Sequence, residues 1–385
     1  MIPYGRQSIS DADIQAVVTV LRSDFLTQGQ VVPQFEQALA HFVQAQYAVA
    51  VNSGTSALHL ACLALGLGEG DILWTSPITF VASANCGLYC GAQVDFVDID
   101  PETYNMSIQA LAAKLAIAEQ QGQLPKIVVP VHFAGQPCDM QAIARLAKQY
   151  GFSIIEDACH AIGGQYSALP VGACQYADIT VFSFHPVKII TTAEGGMAVT
   201  NQALLAEKMQ MLRSHGISRD PDKMTHPPDG AWYYQQLALG FNYRMTELQA
   251  ALGLSQLSRL TEFITRRHQL AQQYQHLLAT LPITYQQQVE WGYSAMHLFV
   301  IRLSLTECHQ SREQVFNALR QQGVGVNVHY IPVHLQPYYQ KMGFKPGDFP
   351  EAEAYYQTAI SLPLFFEMTE AEQNYIVACL QAVLG

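Results

Sequence analysis

The sequence predicts an α/β protein, with a mostly parallel central sheet covered by helices on both faces and a smaller C-terminal α+β domain. Between about residues 34 and 200, short apolar runs such as "YAVAVNSG", "DILWTS" and "FSIIEDA" are separated in several places by helical stretches such as "DMQAIARLAKQYG". Short apolar runs that alternate with helices are typical of βαβ units and a parallel sheet. The length of 385 residues exceeds one ordinary core and favours two domains.

The predicted elements follow in order along the chain. The segment "VPQFEQALAHFVQA" has helical spacing, "YAVAVNSG" is a short β-rich run, and "TSALHLACLALGLG" is again helical and ends in Gly. The runs "DILWTS", "QVDFVDID", "KIVVPVHF", "FSIIEDA" and "ITVFSF" are predicted as strands. Residues 217–236, rich in Pro, Asp and aromatic residues, are predicted to form an ordered loop.

The second region begins with a long amphipathic helix pattern over about residues 244–276. After it come the shorter strands "SAMHLFVIRL" and "GVGVNVHY" and the helices "REQVFNALRQQG" and "TEAEQNYIVACLQAVL". We therefore predict that residues 1–243 form an N-terminal segment and a large domain. Residues 244–385 are predicted to form a connecting helix and a small C-terminal domain.

The composition argues against several classes of partner. A formal net charge of −11 disfavours nucleic acid or an anionic membrane as the general partner, although it is compatible with one phosphorylated small molecule. The N-terminal residues lack the basic start and apolar core of a signal peptide, and no run reaches the roughly 18 apolar residues of a membrane span. We expect a cytoplasmic protein whose eight cysteines are buried thiols and which has no metal site.

A phosphate-type turn follows the first predicted strand at Gly54, Thr55 and Ser56. Gly54 allows a tight turn, after which Thr55 and Ser56 open a helix with free N–H groups and hydroxyls that suit an anion. Ordinary N-capping by Thr or Ser is the alternative explanation. The turn is not a P-loop, because no lysine follows at the required spacing.

Two further residues stand at the ends of predicted strands. Asp157 follows "FSIIE" and is either a helix cap or a carboxylate held ready for a buried cation. Phe80 lies at a strand-to-helix turn, where it could stack on a flat ligand or simply join the core. Neither residue is diagnostic by itself.

Lys188 lies in the apolar, hydroxyl-rich run "SFHPVKIITTAEGG", which begins with Ser183. Burial lowers the pKa of a lysine and makes it a nucleophile, whereas the alternative is a strand-end lysine that reaches solvent. The order of these signals matches the parts needed to hold pyridoxal phosphate (PLP). Lys188 would form the Schiff base, Asp157 would keep the pyridine nitrogen protonated, and the hydroxyl groups would hold the phosphate.

The sequence resembles the sugar aminotransferases of the DegT/DnrJ/EryC1/StrS family over nearly its whole length. Eight ordered segments carry the resemblance: "LTQG" (26–29), "NSGTSAL" (52–58), "SPITFVASAN" (76–85), "EDACHAIGG" (156–164), "SFHPVKIITTAEGG" (183–196), "LRSHG" (212–216), "GFNYRMTELQAALGLSQL" (240–257) and "VNVHYIPVHLQPYY" (326–339). The resemblance implies the type I aspartate-aminotransferase fold. It also implies transamination, since family members that are dehydratases have histidine where Lys188 stands.

The resemblance assigns roles to the cofactor-binding residues. Lys188 would carry the covalent link to PLP, Asp157 would bind the pyridine nitrogen, and Phe80 would stack on the ring. His160 would lie near the phenolic oxygen. The phosphate would be held by Thr55, Ser56 and Ser183 beside Gly54, and by Asn242 of the partner subunit, because family active sites form at the interface of a homodimer.

Within the family, the run "SFHPVKIITTAEGG", with Ala193 where many relatives have Gly, and the run "VHYIPVH" resemble the pseudaminic acid branch. That branch moves an amino group from L-glutamate to the C4 keto group of a UDP-linked 4-keto-6-deoxy-N-acetyl hexose. By analogy, the substrate contacts would be Tyr4, Arg6, Thr27, Gln28, Arg244, His329 and Tyr330, with His334 and Arg213 as further candidates. Each of these could instead be an ordinary surface or interface residue.

Three alternatives stay open. The acceptor could be another nucleotide keto-sugar, such as the precursor of perosamine or of bacillosamine. The chain could be a non-catalytic PLP-binding regulatory protein, although neither an appended DNA-binding segment nor a replaced lysine is seen. A nicotinamide-dependent dehydrogenase would need a G-x-G-x-x-G motif after the first strand, and the sequence does not have one there.

Overall fold

The computed structural model describes residues 1–384, which form thirteen α-helices and fifteen strands. The helices are α1 (Asp11–Leu21), α2 (Val31–Val43), α3 (Gly54–Ala64), α4 (Ala82–Tyr89), α5 (Ile108–Gln121), α6 (Met140–Tyr150), α7 (Ala203–Leu212), α8 (Glu247–Leu257), α9 (Leu260–Leu277), α10 (Arg312–Gln321), α11 (Pro337–Gln340), α12 (Pro350–Thr358) and α13 (Glu370–Leu384). The strands are β1 (Tyr47–Val51), β2 (Ile72–Thr75), β3 (Gln93–Phe96), β4 (Ile127–Val129), β5 (Ser153–Asp157), β6 (Gln165–Tyr166), β7 (Leu169–Pro170), β8 (Ile179–Ser183), β9 (Gly196–Thr200), β10 (Ile217–Ser218), β11 (Gln235–Gln236), β12 (Ile283–Tyr285), β13 (Gly292–Tyr293), β14 (Phe299–Leu303) and β15 (Ala359–Leu362).

Seven strands form the central sheet, in the order β3-β2-β4-β5-β8-β9-β1. The neighbours from β3 to β8 pair in parallel, whereas β9 runs antiparallel to both β8 and β1. β1 therefore points the same way as β8, and the carboxyl ends of β1, β2, β5 and β8 lie at one edge of the sheet. This topology confirms the predicted mostly parallel sheet and brings the predicted ligand-binding turns to the same edge.

Apolar clusters cover both faces of this sheet, as the side chains of β1 show. Val49 and Val51 belong to one buried apolar cluster, whereas Ala48 and Ala50 belong to a second. Since successive side chains of a strand point to opposite faces, the two clusters lie on opposite sides of the sheet. This three-layer arrangement is typical of parallel sheets, in which both faces are buried.

A separate antiparallel sheet, β12-β14-β15, forms in the C-terminal region and packs with α9, α10 and α13. The apolar cluster between them includes Leu270, Ile301, Leu319 and Ile376, which are all fully buried. The C-terminal region therefore has a core of its own. The domain boundary between residues 243 and 244 stays a prediction.

The long helix predicted over residues 244–276 is in fact two helices, α8 and α9, which are separated at Ser258–Arg259. α8 packs against α1 and α2, and Gln256 Nε2 donates a hydrogen bond to Asp13 Oδ2 at 2.7 Å. α9 packs against α13 instead. The apolar periodicity continues through the break because each helix buries its own stripe, although against different partners.

Two other segments differ from the predictions in detail. The run "GVGVNVHY" makes isolated bridges, from Val324 to Ile2 and from Asn327 to Ser361, instead of a strand. The predicted loop over residues 217–236 contains a short hairpin formed by β10 and β11. The first departure depends on pairing with segments distant in sequence, whereas the second pairs Ile217–Ser218 with Gln235–Gln236 inside the predicted loop.

Among the helices of residues 1–384, none is both long enough and apolar enough to cross a bilayer. In the same residues, no group of three or more His, Cys, Asp or Glu side chains is arranged to hold a metal ion. The eight cysteines are free thiols.

Candidate active site

A cavity of about 530 Å³ opens at the carboxyl edge of the central sheet. Its walls come mainly from the turns after β1, β2, β5 and β8, and from segments distant in sequence that contribute Tyr4, His297 and residues 327–330. This edge is where ligands bind in open α/β sheets. The predicted site residues that line the cavity are Tyr4, Gly54, Thr55, Phe80, Asp157, His160, Ser183, Lys188, His329 and Tyr330.

The turn after β1 and the end of β8 touch each other beside the N-terminus of α3. A Cβ atom on Gly54 would lie 2.9 Å from Ser183 Cβ, so a larger residue would force these two turns apart. Ser53 caps α3, because its Oγ accepts a hydrogen bond from Ser56 N at 3.1 Å. Thr55 and Ser183 line the cavity next to this helix end. The free N–H groups of the first turn, the helix dipole and the two hydroxyls make this corner suitable for a phosphate.

Ser53, rather than the predicted Ser56, lies against the cavity. Ser56 Oγ donates a hydrogen bond to Asn52 Oδ1 at 2.7 Å and lies 2.9 Å from Ser53 Oγ. The Ser56 hydroxyl is therefore engaged within the turn. Sequence reasoning missed Ser53, although a serine directly before a helix start is a recognised N-cap signal.

Asp157 is the last residue of β5 and is almost fully buried in the cavity wall. Its Oδ2 accepts a hydrogen bond from Ser83 Oγ at 2.6 Å, and its Oδ1 accepts one from Cys159 N at 3.1 Å. The chain continues into turns, so Asp157 is not a helix cap. A buried carboxylate is costly unless hydrogen bonds or a cation compensate it, and this position therefore suits a cationic group of a ligand.

Lys188 lies between β8 and β9 and lines the same cavity. Its backbone N–H donates a hydrogen bond to His185 O at 2.8 Å, which closes a tight turn. Burial lowers the pKa of Lys188 below the ordinary lysine value, and the nearby Cys159 and Asp157 oppose part of this effect. A lysine amine with a lowered pKa is a better nucleophile near neutral pH, as covalent attachment to a carbonyl cofactor requires.

Phe80 is a wall of the cavity and not a core residue, since 59% of its surface is exposed. The centroid of its ring lies 6.3 Å from that of Tyr330. The core alternative is therefore excluded. An exposed aromatic ring at the mouth of a cavity can stack on a flat ligand.

His160 and Tyr330 form a neutral polar pair, with His160 Nε2 3.0 Å from Tyr330 Oη. Burial lowers the pKa of His160 well below the ordinary histidine value, and Lys188 and His329 add to this effect. Burial also raises the pKa of Tyr330. Both side chains can therefore hydrogen-bond to a polar ligand atom without bringing a charge into the cavity.

Tyr4 and His329 bring the N-terminal segment and the C-terminal region to the cavity, where their ring centroids are 5.4 Å apart. His329 Nδ1 lies 2.8 Å from Ser361 Oγ. Burial, together with the Lys188 charge, lowers the pKa of His329 to about 3. These neutral polar groups suit the hydroxyl or amide groups of a sugar.

A second set of predicted residues lies outside the cavity of its own chain: Arg6, Thr27, Gln28, Asn242 and Arg244. Arg6 is exposed, and its Nε lies 3.9 Å from Glu367 Oε2. Thr27, Gln28 and Asn242 are also exposed, and Arg244 is partly buried. A single chain does not bring these side chains to the site.

The two further candidates have partners within the fold and do not line the cavity. Arg213 pairs with Glu36 and also donates a hydrogen bond to Ala50 O at 2.8 Å. The fully buried His334 hydrogen-bonds through Nε2 to Glu353 Oε1 at 3.0 Å. Both contacts stabilise the fold.

Several polar residues of the cavity wall carry no predicted role, among them His185, Glu194, His297 and Asn327. His185 and Glu194 flank Lys188 in sequence, so their position in the same run was an available signal. The His297 ring centroid lies 4.4 Å from that of His160. His297 and Asn327 come from the C-terminal region, and no local pattern connects them with the lysine run.

The residues of the cavity fit PLP. The volume falls within the range of small-molecule sites. The corner formed by Thr55, Ser183 and the N-terminus of α3, here called the anion corner, suits the phosphate of the cofactor. The exposed ring of Phe80 suits its flat ring, the carboxylate of Asp157 suits its pyridine nitrogen, and the amine of Lys188 suits its aldehyde. Within residues 1–384, His160 Nδ1 and His297 Nδ1 are buried without a hydrogen-bond partner, so polar groups stay available for a ligand.

Comparison with known proteins supports the same chemistry. SpsC of Bacillus subtilis, a spore coat polysaccharide biosynthesis protein, is 39% identical over 100% of this chain and 97% of SpsC. PseC of Helicobacter pylori, an aminotransferase of pseudoaminic acid biosynthesis, has a solved structure that matches with a TM-score of 0.90 at 30% identity, over 100% of this chain and 99% of PseC. Spr1654 of Streptococcus pneumoniae, assigned as a sugar aminotransferase and solved in its PLP form, matches with a TM-score of 0.89 at 30% identity, over 99% of this chain and 98% of Spr1654. Residues 7–381 match the DegT/DnrJ/EryC1/StrS aminotransferase family. The chain belongs to this family and is a PLP-dependent sugar aminotransferase with the type I fold.

Proposed function

We propose that the protein moves an amino group from L-glutamate to the C4 keto group of a UDP-linked 4-keto-6-deoxy-N-acetyl hexose, giving a UDP-4-amino sugar of the pseudaminic acid pathway. The observation that carries the proposal is the likeness to PseC over the whole chain, at a TM-score of 0.90. We also propose that the reaction takes place in the cytoplasm.

We propose that Lys188 forms the covalent link to the cofactor and, when released, acts as general base and acid on the proton of the substrate carbon. PLP, when bound, supplies an electron sink for the negative charge that develops at that carbon. The lowered pKa of Lys188 supports both roles, since a neutral amine can attack a carbonyl and accept a proton.

We further propose that Asp157 pairs with the protonated pyridine nitrogen, that Phe80 stacks on the ring and that His160 lies near the phenolic oxygen. The buried, doubly hydrogen-bonded carboxylate and the exposed ring support the first two roles. The depressed pKa of His160 supports the third, because a neutral imidazole can share a hydrogen bond with that oxygen.

The phosphate is proposed to bind at the anion corner, where Thr55 and Ser183 supply hydroxyl groups beside Gly54. We propose that Ser56 supports this corner through the turn. Asn242 of the partner subunit would complete the phosphate site in a homodimer. Exposed apolar side chains support a subunit interface, since Phe25, Trp232 and Leu239 are 62%, 74% and 82% exposed.

The proposed sugar contacts fall into two groups. Tyr4, His329 and Tyr330 line the cavity of their own chain. Arg6, Thr27, Gln28 and Arg244 lie outside it, and we propose that they act at the partner's site or at the rim of the cavity. This division is consistent with a site that forms between two subunits.

The role of Lys188 is tested by borohydride reduction of the purified holoenzyme, which should attach the cofactor irreversibly to the peptide that contains Lys188. Lys188→Ala should lose glutamate-dependent amination. Lys148→Ala, on the exposed face of α6, is the matched control and should keep full activity. Full transaminase activity in Lys188→Ala would refute the proposed role.

The acceptor is tested with a panel of keto-sugar nucleotides, with the amino sugar identified by mass spectrometry. The proposal predicts the highest kcat/KM for the UDP-linked 4-keto-6-deoxy-N-acetyl hexose of the pseudaminic acid series. SpsC shares 39% identity with this chain, whereas PseC shares 30%, so an acceptor from another polysaccharide pathway is the second candidate. Preference for a perosamine or bacillosamine precursor would replace the pseudaminic acid proposal with that candidate.

A further inference from the structure

Two buried hydroxyl groups connect to Asp157 from the segment that follows β2. Ser83 Oγ lies 2.6 Å from Asp157 Oδ2 and 2.7 Å from Thr79 Oγ1, and both hydroxyl residues are almost fully buried. We propose that Ser83 is a positioning residue for Asp157 and that Thr79 fixes the direction of the Ser83 hydroxyl. The proposal rests on the proposed contact between Asp157 and the pyridine nitrogen.

The direction of these hydrogen bonds follows from the chemistry of the groups. An ionised carboxylate only accepts hydrogen bonds, and a serine hydroxyl has one proton to donate. Ser83 therefore donates to Asp157, and Thr79 must donate to Ser83. The distance of 2.6 Å between Ser83 Oγ and Asp157 Oδ2 is in the range of charge-assisted O–H···O⁻ bonds.

The second carboxylate oxygen is held by the backbone. Asp157 Oδ1 accepts a hydrogen bond from Cys159 N at 3.1 Å. Ser83 and Cys159 thus fix both oxygens, one through a side chain and one through the main chain. A carboxylate held at both oxygens stays in one orientation, which is the condition for a directed contact with a ligand cation.

The same segment also carries Phe80, so a single element sets two proposed cofactor contacts. Thr79 and Phe80 are adjacent, and Ser83 lies in the first turn of α4, with its Oγ 3.3 Å from Phe80 O. A shift of this segment would move the stacking ring and the hydroxyl that holds Asp157 together. Thr79 and Ser83 line the cavity and are almost fully buried, so removing either hydroxyl leaves a buried polar partner without its hydrogen bond.

The inference is tested with four variants of the full-length holoenzyme. Ser83→Ala removes the donor to Asp157, Thr79→Val removes only the donor to Ser83, and Asp157→Asn removes the charge itself. Thr75→Val is the matched control, since Thr75 carries a buried hydroxyl at the end of β2 that donates to Val129 O at 2.8 Å and makes no hydrogen bond to Asp157. The measurements are the PLP dissociation constant, the pH titration of the visible absorbance of bound PLP, and the rate of the glutamate half-reaction, which needs no sugar.

Ser83→Ala should raise the PLP dissociation constant and lower the half-reaction rate, each by about 10- to 100-fold, as loss of a hydrogen bond to a charged group predicts. It should also move the absorbance titration in the same direction as Asp157→Asn. Thr79→Val should cause smaller changes of the same sign, and Thr75→Val should change neither the dissociation constant nor the titration. If Ser83→Ala does not fold, as judged by its circular dichroism, the Thr79→Val titration decides the result.

A Ser83→Ala enzyme with the dissociation constant and titration of the wild type would overturn the inference, whatever its rate, because Ser83 would then be structural only. Thr79→Val with an unchanged titration would overturn the role of Thr79. If Asp157→Asn itself changed neither quantity, the proposed role of Asp157 would fail, and the inference with it. Failure of the inference and failure of the proposed Asp157 role are distinguishable, since only the latter leaves the Asp157→Asn protein unchanged.

Discussion

Glu247 holds the segment over residues 26–31 in place through hydrogen bonds, and Glu247→Gln should weaken this attachment. The Glu247 side chain is almost fully buried, and its Oε1 and Oε2 accept hydrogen bonds from Gly29 N at 2.9 Å and from Val31 N at 2.6 Å. The Glu247 N–H donates to Leu26 O at 3.0 Å. One residue at the start of α8 therefore holds this segment at three points and caps α2.

The expected loss of stability follows from these contacts. Glu247→Gln turns one acceptor oxygen into an NH2 group, so one partly buried backbone N–H loses its partner. A hydrogen bond to a charged group contributes about 1.5–3 kcal/mol. A negative charge at a helix N-terminus adds about 0.3–1 kcal/mol. The free energy of unfolding should therefore fall by about 2–4 kcal/mol.

Equilibrium urea unfolding measures this loss, and Glu262→Gln on α9 is the matched control. Glu262 Oε2 lies 3.5 Å from Arg259 Nε, and the Glu262 side chain is 59% exposed. Such a surface pair contributes about 0–1 kcal/mol. Glu247→Gln should also raise KM for the sugar, because Thr27 and Gln28 are proposed sugar contacts, and leave the glutamate half-reaction within about twofold. Equal stability of the Glu247→Gln and Glu262→Gln proteins would refute the reasoning.

Three further outcomes are expected. Burial holds the pKa of His329 at about 3 in the folded protein, whereas a histidine in the unfolded chain has a pKa near 6.5, so the folded protein loses stability as the pH falls below 6.5. His329→Asn should therefore reduce the fall in the free energy of unfolding between pH 7 and pH 5 by about 2 kcal/mol, as measured by urea unfolding. The same pH dependence of the free energy of unfolding in His329→Asn and the wild type would refute this. Thr55→Ala should raise the PLP dissociation constant about tenfold. Ser56→Ala should raise it less, because the Ser56 hydroxyl donates a hydrogen bond to Asn52 within the turn. Equal increases in the two variants would contradict the different positions of the two hydroxyl groups. Gly54→Ala should weaken PLP binding through its close approach to Ser183, as a spectroscopic titration with PLP would show, and wild-type affinity would contradict this.

The strand ends could be predicted because their signals are local. Apolar, β-branched runs end at Val51, Asp157 and Ser183, and the parallel order of their strands then brings the following turns together. Neither step needs knowledge of distant contacts beyond the fold class. The turn after β1, Asp157 and Lys188 were therefore predictable as members of one site.

The remaining features depend on tertiary contacts. Ser83 meets Asp157 across 74 residues of sequence, and nothing in "VASAN" marks it as a partner of a carboxylate. Whether Ser53 or Ser56 faces the cavity depends on the extended backbone of Ser53, with φ −163° and ψ 159°, which composition does not determine. The break between α8 and α9 follows from their different packing partners and not from a change in the apolar pattern.

The proposed cofactor contacts and the proposed sugar contacts differ in the same way, because the former follow from the central sheet and the latter depend on surface segments. Asp157 and Ser183 are the last residues of β5 and β8, and most of the other proposed cofactor contacts lie in the segments that follow central-sheet strands, whose backbone is held by the hydrogen-bonded ladder and two buried clusters. Four of the proposed sugar contacts, Arg6, Thr27, Gln28 and Arg244, lie outside the cavity of their own chain. Surface segments can change without disturbing a core, so the acceptor can change while the amine chemistry is kept. Glu247→Gln should therefore affect mainly the sugar half of the reaction, whereas Ser83→Ala should affect both halves, because both use the same cofactor.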